Sequence, residues 1–320
     1  MTTVQDENAY EDLLGQWSDL ESGLGVILSS PATTQQFAHR VLQYDRWMQG
    51  LLQRDPDVGL YLLFQLASNS PVGYSASHSL VCAVLCHLVA GELQLSLKER
   101  NSLVHAALTM NVAMTALQDQ LATQTERPNQ AQQDAIRTHP IKGAMMLANL
   151  GVADDEWLDI VSGHHDDAVD RETPATAGGT VRLTRVLKVV DRYAAMISPR
   201  ASRTGRSAIE SARSVMARAT AGVDEIGQAL VRAVGLCPPG TYVRLDNDEL
   251  AVVVRRSGKA NLPFVVIIGK ASGEFHHNPR LHATGDSPPK IRSALPAIAV
   301  RTPLNHFFLL QLGSQALSMA

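Results

Sequence analysis

The hydrophobic pattern of the chain changes from a helical to a strand period at Cys237-Pro238-Pro239-Gly240, and this change constrains the fold most. In residues 75–236 apolar side chains recur at helical spacing, with Ala, Leu and Val dominant and few β-branched runs. Short β-branched runs then begin at Thr241, Glu249 and Phe264, with turn residues between them. The pattern predicts a mostly α protein that carries a small antiparallel β appendage near its C-terminal end.

Three regions follow from this pattern. Residues 1–70 predict an N-terminal helical extension, in which Asp55-Pro56-Asp57 opens a helix. The pattern of residues 71–236 predicts a helical core. Residues 237–320 are predicted to form a β-rich appendage and tail, and within it residues 270–295 are expected to be irregular. The predicted core helices are 75–92, 97–121, 130–150, 154–164, 180–198, 207–219 and 223–235.

Charge and cysteine content exclude several classes of protein. The formal net charge is −3, so no basic surface indicates a nucleic-acid polymer or an anionic membrane as partner. Apolar stretches such as Ser79–Ala90 are shorter than the roughly 20 residues that cross a bilayer, and the acidic N-terminus is unlike a signal peptide. Cys82 and Cys86 lie in an apolar run, which is typical of core residues. We expect a cytoplasmic protein.

Three histidines stand near expected helix ends. His164 and His165 are adjacent and follow Gly163. Neighbouring side chains diverge by about 100° on a regular helix, so the pair can converge on one ion only near a helix end. His139 precedes Pro140, which favours a helix start at this point. A solvated histidine pair in a loop is the competing interpretation.

Two further candidates lie on predicted apolar helices. His78 is surrounded by apolar residues, and Asp191 lies at the edge of an apolar stripe, where a carboxylate needs a cation or several donors. The alternatives are that His78 is an ordinary core histidine and that Asp191 pairs with Arg185 or Lys188.

The order and spacing of His78, His139, His164-His165 and Asp191 resembles that of the HD-GYP family. These proteins are all-helical HD-superfamily phosphodiesterases that hydrolyse cyclic di-GMP at a site of two or three metal ions. The resemblance covers roughly residues 70–270. It implies an HD-superfamily helical bundle with these residues as metal ligands.

The chain departs from the family pattern where the chemistry is most demanding. The His-Asp dyad of the family falls on Met110-Asn111, and the lysine that follows it falls on Met114. The GYP loop falls on Glu172-Thr173-Pro174, which keeps only the proline. The glutamate of three-metal members falls on Tyr74.

The loss of the dyad changes the metal chemistry that the resemblance implies. A carboxylate bridges two cations with two anionic oxygens, whereas the amide of Asn111 is neutral and Met110 supplies no nitrogen. No catalytic residue is therefore assigned. The set that remains implies one divalent transition ion of the Fe, Mn or Zn type, held by His139, His164 and His165, with His78 and Asp191 at the rim.

The phosphate-binding residues of the family are better kept. Arg200 and Arg203 match its basic residues after the aspartate helix, although a solvated basic stretch explains them equally well. The sequence thus predicts a divergent HD-GYP-like protein of cyclic di-GMP signalling, inactive or weakly active, that binds a nucleotide or a signalling protein. A metal-dependent phosphodiesterase and a purely structural HD-related interaction module are the alternatives.

Overall fold

The computed structural model describes residues 4–69, 72–167, 178–201, 205–216, 223–259, 261–296, 299–300 and 304–318. Its architecture is mostly α, with a small sheet near the C-terminal end, as the hydrophobic pattern predicts. The helices are α1 (Val4–Ser29), α2 (Phe37–Arg54), α3 (Pro56–Asn69), α4 (Tyr74–Glu92), α5 (Leu97–Thr109), α6 (Thr115–Thr123), α7 (Gln130–Asn149), α8 (Asp155–Gly163), α9 (Gly179–Ile197), α10 (Ala208–Met216), α11 (Val223–Val234) and α12 (His306–Ser314).

The sheet is antiparallel and has the strand order β4-β3-β2-β1-β5. Its strands are β1 (Tyr242–Leu245), β2 (Leu250–Arg255), β3 (Phe264–Gly269), β4 (Phe275–Ala283) and β5 (Ile291–Leu295). The first three strands lie where the β-branched runs predict them. Every residue of β3 is buried, and this strand lies inside the sheet between β4 and β2.

The expectation that residues 270–295 are irregular is wrong, because they contain β4 and β5. Both strands lie at edges of the sheet, where Pro279 is tolerated because one side of an edge strand needs no backbone donor. The strands are weakly apolar, and β4 forms because it pairs with the buried β3. Such pairing is not visible in a local hydrophobic pattern.

Helix α4 lies at the centre of the core and packs against α1, α3, α5, α6, α9 and α11. All of its residues from Ser75 to Cys86 are buried. By length and composition alone α4 is long and apolar enough to cross a membrane. From the sequence, by contrast, the apolar stretches are expected to be too short for this. The most apolar window of α4 is 78% buried inside the protein, as in a central core helix.

The N-terminal helices share the core with α4. Trp17, Leu20 and Leu24 of α1 are almost fully buried and belong to the same hydrophobic cluster as Leu80 and Val84 of α4. The division of the chain at residues 70 and 236 stays a prediction. Helices α1 and α3 pack directly on the helix that carries His78, and α2 packs on both of them.

Two local expectations in the helical core are wrong. The predicted helix 97–121 is divided, because α5 ends at Thr109 and a 3₁₀ turn at Val112–Met114 precedes α6. Pro140 lies inside α7 and does not start it. The true start of α7 is capped by Asn129 and Gln132, whose side chains each accept a hydrogen bond from the backbone N–H of the other.

A buried group of charges joins the sheet to the N-terminal helices. Arg255 of β2 pairs with Asp55 and with Asp57, whose Oδ2 lies 3.3 Å from Arg255 Nη1. Asp55 also caps α3, since its Oδ1 accepts hydrogen bonds from the backbone N–H groups of Asp57 and Val58. Arg256 forms a second ion pair with Asp57. The removal of Arg255 would leave two buried carboxylates poorly compensated.

The substitution Arg255→Met should lower the free energy of unfolding by about 3–5 kcal/mol, because it breaks a buried charge network on one side. Arg292→Met is the matched control, since Arg292 and its partner Asp248 are both more than half exposed. The control should cost about 1 kcal/mol or less. Urea unfolding measures both values, and equal effects would contradict the role of the buried network.

Candidate metal centre

Helices α7 and α8 place the three predicted histidine ligands together. Asp154 caps α8 by accepting a hydrogen bond from the backbone N–H of Trp157, and its second carboxylate oxygen accepts one from Ser102 of α5. This cap fixes the start of α8, and the helix ends at Gly163 as expected. His164 and His165 therefore leave the helix end beside α7.

Pro140 orients the ring of His139. A proline inside a helix has no N–H for the carbonyl four residues earlier, which here is that of Ile136. His139 Nδ1 lies 2.6 Å from this carbonyl oxygen. A carbonyl only accepts hydrogen bonds, so Nδ1 carries the proton and Nε2 of His139 has a free lone pair.

His164 is held in the same way. Its Nδ1 lies 2.7 Å from the carbonyl oxygen of Val161, which again places the proton on Nδ1 and leaves Nε2 as an acceptor. The two Nε2 atoms of His139 and His164 face each other at 3.2 Å. Two lone pairs at this distance repel unless a proton or a cation lies between them.

Burial disfavours a shared proton. Both rings are about 1% exposed. Burial, strengthened by the neighbouring His165 ring, lowers the pKa of His139 to about 4 and that of His164 to about 3. Both imidazoles are thus neutral near pH 7. A tetrahedral ion with metal–nitrogen bonds of roughly 2.0–2.1 Å holds two such nitrogens about 3.3 Å apart, which fits the separation observed.

His165 completes a group that we call the trihistidine cluster, His139, His164 and His165. Its ring centroid lies 4.2 Å from that of His164, and one ligand atom from each ring lies within 4.8 Å of the others. His165 is exposed, so this side of the cluster is open to solvent. Lys188 of α9 holds the following segment by contacts to the Asp166 carbonyl oxygen and the Asp167 carboxylate.

His78 and Asp191 are also brought together. His78 Nε2 lies 2.8 Å from Asp191 Oδ1, across the contact between α4 and α9. Burial raises the pKa of the Asp191 carboxyl, but the hydrogen bond with His78 outweighs it and holds the pKa below its usual range. The alternative prediction pairs Asp191 with Arg185 or Lys188. In the structure the described partner of Asp191 is His78, and Lys188 contacts Asp167.

Tyr74 and Arg200 cover the His78 ring. The Tyr74 ring stacks on His78 with a centroid separation of 5.4 Å and an interplanar angle of 13°. The guanidinium carbon of Arg200 lies 4.5 Å from the Tyr74 centroid, and Arg200 Nη2 donates to the Tyr74 hydroxyl at 2.8 Å. The tyrosine thus builds a His–Tyr–Arg stack at the position where the resemblance expects a metal-binding glutamate.

The positions of the dyad border α7. Met110 and Asn111 are buried at the end of α5, and a Cβ atom on Gly143 of α7 would lie 3.6 Å from the Met110 carbonyl oxygen. Neither side chain is an anionic ligand. Two other predicted features, Arg203 and the segment Glu172-Thr173-Pro174, lie outside the described residues.

Sequence reasoning placed Cys82 only in the core, and it is indeed fully buried. Its Sγ, however, lies 3.7 Å from His78 Nε2, and Cys82, His78 and Asp191 bring one ligand atom each within 4.8 Å of one another. The spacing of four between His78 and Cys82 was the available signal, since residues at i and i+4 share one helix face.

Comparison with known proteins agrees with the helical fold. The profile of the HD domain family matches residues 62–225, which is just over half of the chain. This range contains both groups of potential ligands. No solved structure matches the chain.

The chain is also similar to a cyclic di-GMP phosphodiesterase of Pseudomonas aeruginosa. The two sequences are 27% identical over 192 residues, which cover 59% of this chain and 46% of the relative. The chain therefore spans less than half the length of that relative.

The buried rings of the trihistidine cluster should make the metal-free protein less stable in acid. The folded-state pKa values of His139 and His164 lie below the unfolded value of about 6.5. The unfolded chain therefore binds protons first, and stability that is complete above about pH 6.5 is lost as the pH falls. Each ring should contribute about 1.4 kcal/mol per pH unit between roughly pH 6.5 and 5.

Urea unfolding in the presence of a chelator, repeated across this pH range, measures the slope. His164→Gln should reduce it by the share of one ring. His277→Gln should leave it unchanged, because His277 is exposed on β4. A slope in the His164→Gln protein equal to that of the wild type would contradict a neutral, buried His164.

Proposed function

The chain belongs to the HD domain family, and we propose that it is a divergent HD-GYP-like module that binds a cyclic dinucleotide with little or no hydrolysis. In this proposal the trihistidine cluster holds one divalent transition ion, and Arg200 binds a phosphate group of the ligand. The approach of the two Nε2 atoms to 3.2 Å is the observation that carries the proposal.

The donor set fits an ion of the Zn, Mn or Fe type. Three imidazoles suffice for one such ion, and two of them present lone pairs whose orientation is fixed by backbone carbonyls. When bound, the ion supplies a positive charge that attracts a phosphate oxygen. The exposed ring of His165 marks the side from which a phosphate ligand would approach.

The replacement of the dyad supports binding over hydrolysis. Two divalent ions about 3.5–4 Å apart repel each other strongly, and a bridging carboxylate offsets this repulsion. At the dyad position the chain has Met110 and Asn111, which carry no charge. A protein that keeps the imidazoles and loses the bridge retains an anion-binding ion without the activated hydroxide of a paired-metal site.

Arg200 supports the phosphate side of the proposal. Stacking on Tyr74 and the hydrogen bond to its hydroxyl fix the plane of the guanidinium group before a ligand arrives. Arg200 Nε has no acceptor among the described residues. A fixed guanidinium with donors still free is suited to bidentate contact with phosphate oxygens.

An enzyme is the second candidate, and the similarity to a cyclic di-GMP phosphodiesterase favours it. A single ion that polarises the phosphate would suffice for slow cleavage of a phosphodiester. The two candidates share the metal and differ in turnover, so the same preparation tests both.

The trihistidine cluster should retain one equivalent of metal. After incubation with Zn²⁺ or Mn²⁺ and removal of the excess, elemental analysis should find one equivalent fewer in His164→Gln than in the wild type. The exposed His277→Gln is the control and should keep the wild-type content. Less than about a tenth of an equivalent in the wild type, against the full occupancy expected of three imidazoles, would contradict the proposal.

The protein should bind cyclic di-GMP without cleaving it. Calorimetry should show binding that weakens about 10- to 100-fold in Arg200→Ala, as expected for the loss of a charged hydrogen bond of roughly 1.5–3 kcal/mol. Arg206→Ala is the matched control, because Arg206 is an exposed arginine six residues further along the chain.

Chromatography of the same samples, loaded with Mn²⁺ or Fe²⁺, measures the linear product pGpG. A turnover on the order of 1 per second or more, typical of enzymes, would favour the phosphodiesterase. The absence of both binding and cleavage would favour the structural interaction module.

A further inference from the structure

A cavity of about 470 Å³ lies between strand β4 and helix α12, and we call it the β4–α12 cavity. Its volume is within the roughly 300–1,000 Å³ that is typical of small-molecule sites. Its apolar lining consists of Ile268, Phe275, Pro279, Leu304, Phe308 and Leu309. The match to the HD domain ends at residue 225, so the cavity lies outside the domain that carries the trihistidine cluster.

A large bulge in β4 shapes this cavity. Ile267 of β3 pairs with Arg280, and Gly269 pairs with Phe275, so the four residues 276–279 stand opposite the single residue Ile268. This excess chain lines the cavity together with Ile268 and the first turn of α12. Bulges are common beside binding sites, because the unpaired residues aim side chains in directions that a regular strand does not allow.

The polar groups of the cavity are hydrogen-bond donors rather than anions. Asn278 and Asn305 contribute amides, and His276 and His277 contribute imidazole rings. Asn305 Oδ1 accepts a hydrogen bond from the backbone N–H of Phe308 as the cap of α12, so the donors of its NH₂ group are left for another acceptor. None of the described side chains that line the cavity is acidic.

The carboxylate of Glu249, which lies beside His276, is already compensated. Its Oε1 lies 3.5 Å from His276 Nε2, and Arg280 Nη2 donates to its two oxygens at 3.1 and 2.9 Å. The charge of Arg280 therefore balances that of Glu249. The polarity of the cavity is then set by its own donors and by the N-terminal end of α12, which carries a partial positive charge.

Two phenyl rings are available to cover an apolar ligand. Phe275 and Phe308 both line the cavity, and Phe308 is 37% exposed. Apolar surface that is left in water at a concave site gains free energy when a ligand covers it. The cavity thus combines an apolar wall with donors at one end.

A peptide that adds to the sheet as a further strand fits this edge poorly. Pro279 has no backbone N–H, and the bulge interrupts the row of donors and acceptors that such a strand would pair with. A small molecule held by side chains fits the observations better than a strand held by the backbone.

We propose that the β4–α12 cavity binds a small amphiphilic carboxylate, which is a ligand with an apolar body and one carboxylate group. The apolar body, an aromatic ring or an acyl chain, packs against Phe275 and Phe308. The carboxylate accepts a hydrogen bond from the Asn305 amide at the N-terminal end of α12. The proposal does not rest on the function proposed above, because it uses none of the metal ligands and neither Arg200 nor Tyr74.

Calorimetry with decanoate and with 2-naphthoate tests the site on the full chain. Binding of either compound supports the site, and the tighter of the two identifies the apolar body. Decanol and 2-naphthylmethanol are the neutral partners of these probes, since they keep the apolar body and lack the charge. A wild type that binds neither carboxylate would overturn the proposal.

Asn305→Asp tests the end of the cavity that receives the carboxylate. Aspartate caps a helix as well as asparagine does, so α12 should be kept, while the amide donor is lost and a negative charge is added. Carboxylate binding should weaken about 10-fold or more, because like charges then meet, whereas binding of the neutral alcohol should change little. Asn129→Asp is the matched control, since Asn129 caps α7 in the same way. Equal carboxylate binding in Asn305→Asp and Asn129→Asp would overturn the proposal.

Phe308→Ala tests the apolar wall and should weaken both the carboxylate and the alcohol. Leu97→Ala is its control, since Leu97 is 71% exposed on α5 and should leave binding unchanged. His164→Gln separates this site from the metal centre and should bind both probes as the wild type does. A loss of carboxylate binding in His164→Gln would place the ligand at the trihistidine cluster and overturn the proposal.

Discussion

The approach of two neutral imidazoles in the interior of the protein is the constraint on which the candidate site depends. Backbone carbonyls fix the proton of His139 and of His164 on Nδ1, so the free lone pairs of both rings point at each other. Burial disfavours the protonated forms that would relieve this repulsion. The arrangement therefore favours a cation between the two rings. It also requires the helices that carry these rings to be held rigidly.

Helices α7 and α8, which carry the two rings, pack on each other, and α8 also packs on α5 and α9, both of which pack on α4. Helices α1 and α3 pack on α4, as do α5 and α9, so His78 is held in position opposite Asp191. The sheet is joined to the N-terminal helices through the buried ion pairs of Arg255. Regions that appear separate in the sequence pattern thus contribute to the rigidity of the ligands.

Much of the fold could be predicted because the helices have strong local periodicity. The sequence limits of α4 and α9 agree with the structure to within a residue or two. The edge strand β4 could not be predicted, since it owes its conformation to pairing with the distant β3. Pro140 was misplaced because a proline usually starts a helix, whereas here the His139 side chain replaces the missing donor. Cys82 is correctly predicted as a core residue, but its approach to Asp191 is a tertiary contact that a local pattern does not show.

The tautomers of His139 and His164 are the most direct test of this account, and ¹⁵N NMR of the imidazole rings measures them. In metal-free protein near pH 7 both rings should be neutral, with a proton on Nδ1 and a bare Nε2. Addition of Zn²⁺ should shift both Nε2 resonances and leave Nδ1 protonated. A proton on Nε2 of either ring, a charged imidazolium, or Nε2 resonances that ignore saturating Zn²⁺ would contradict the account.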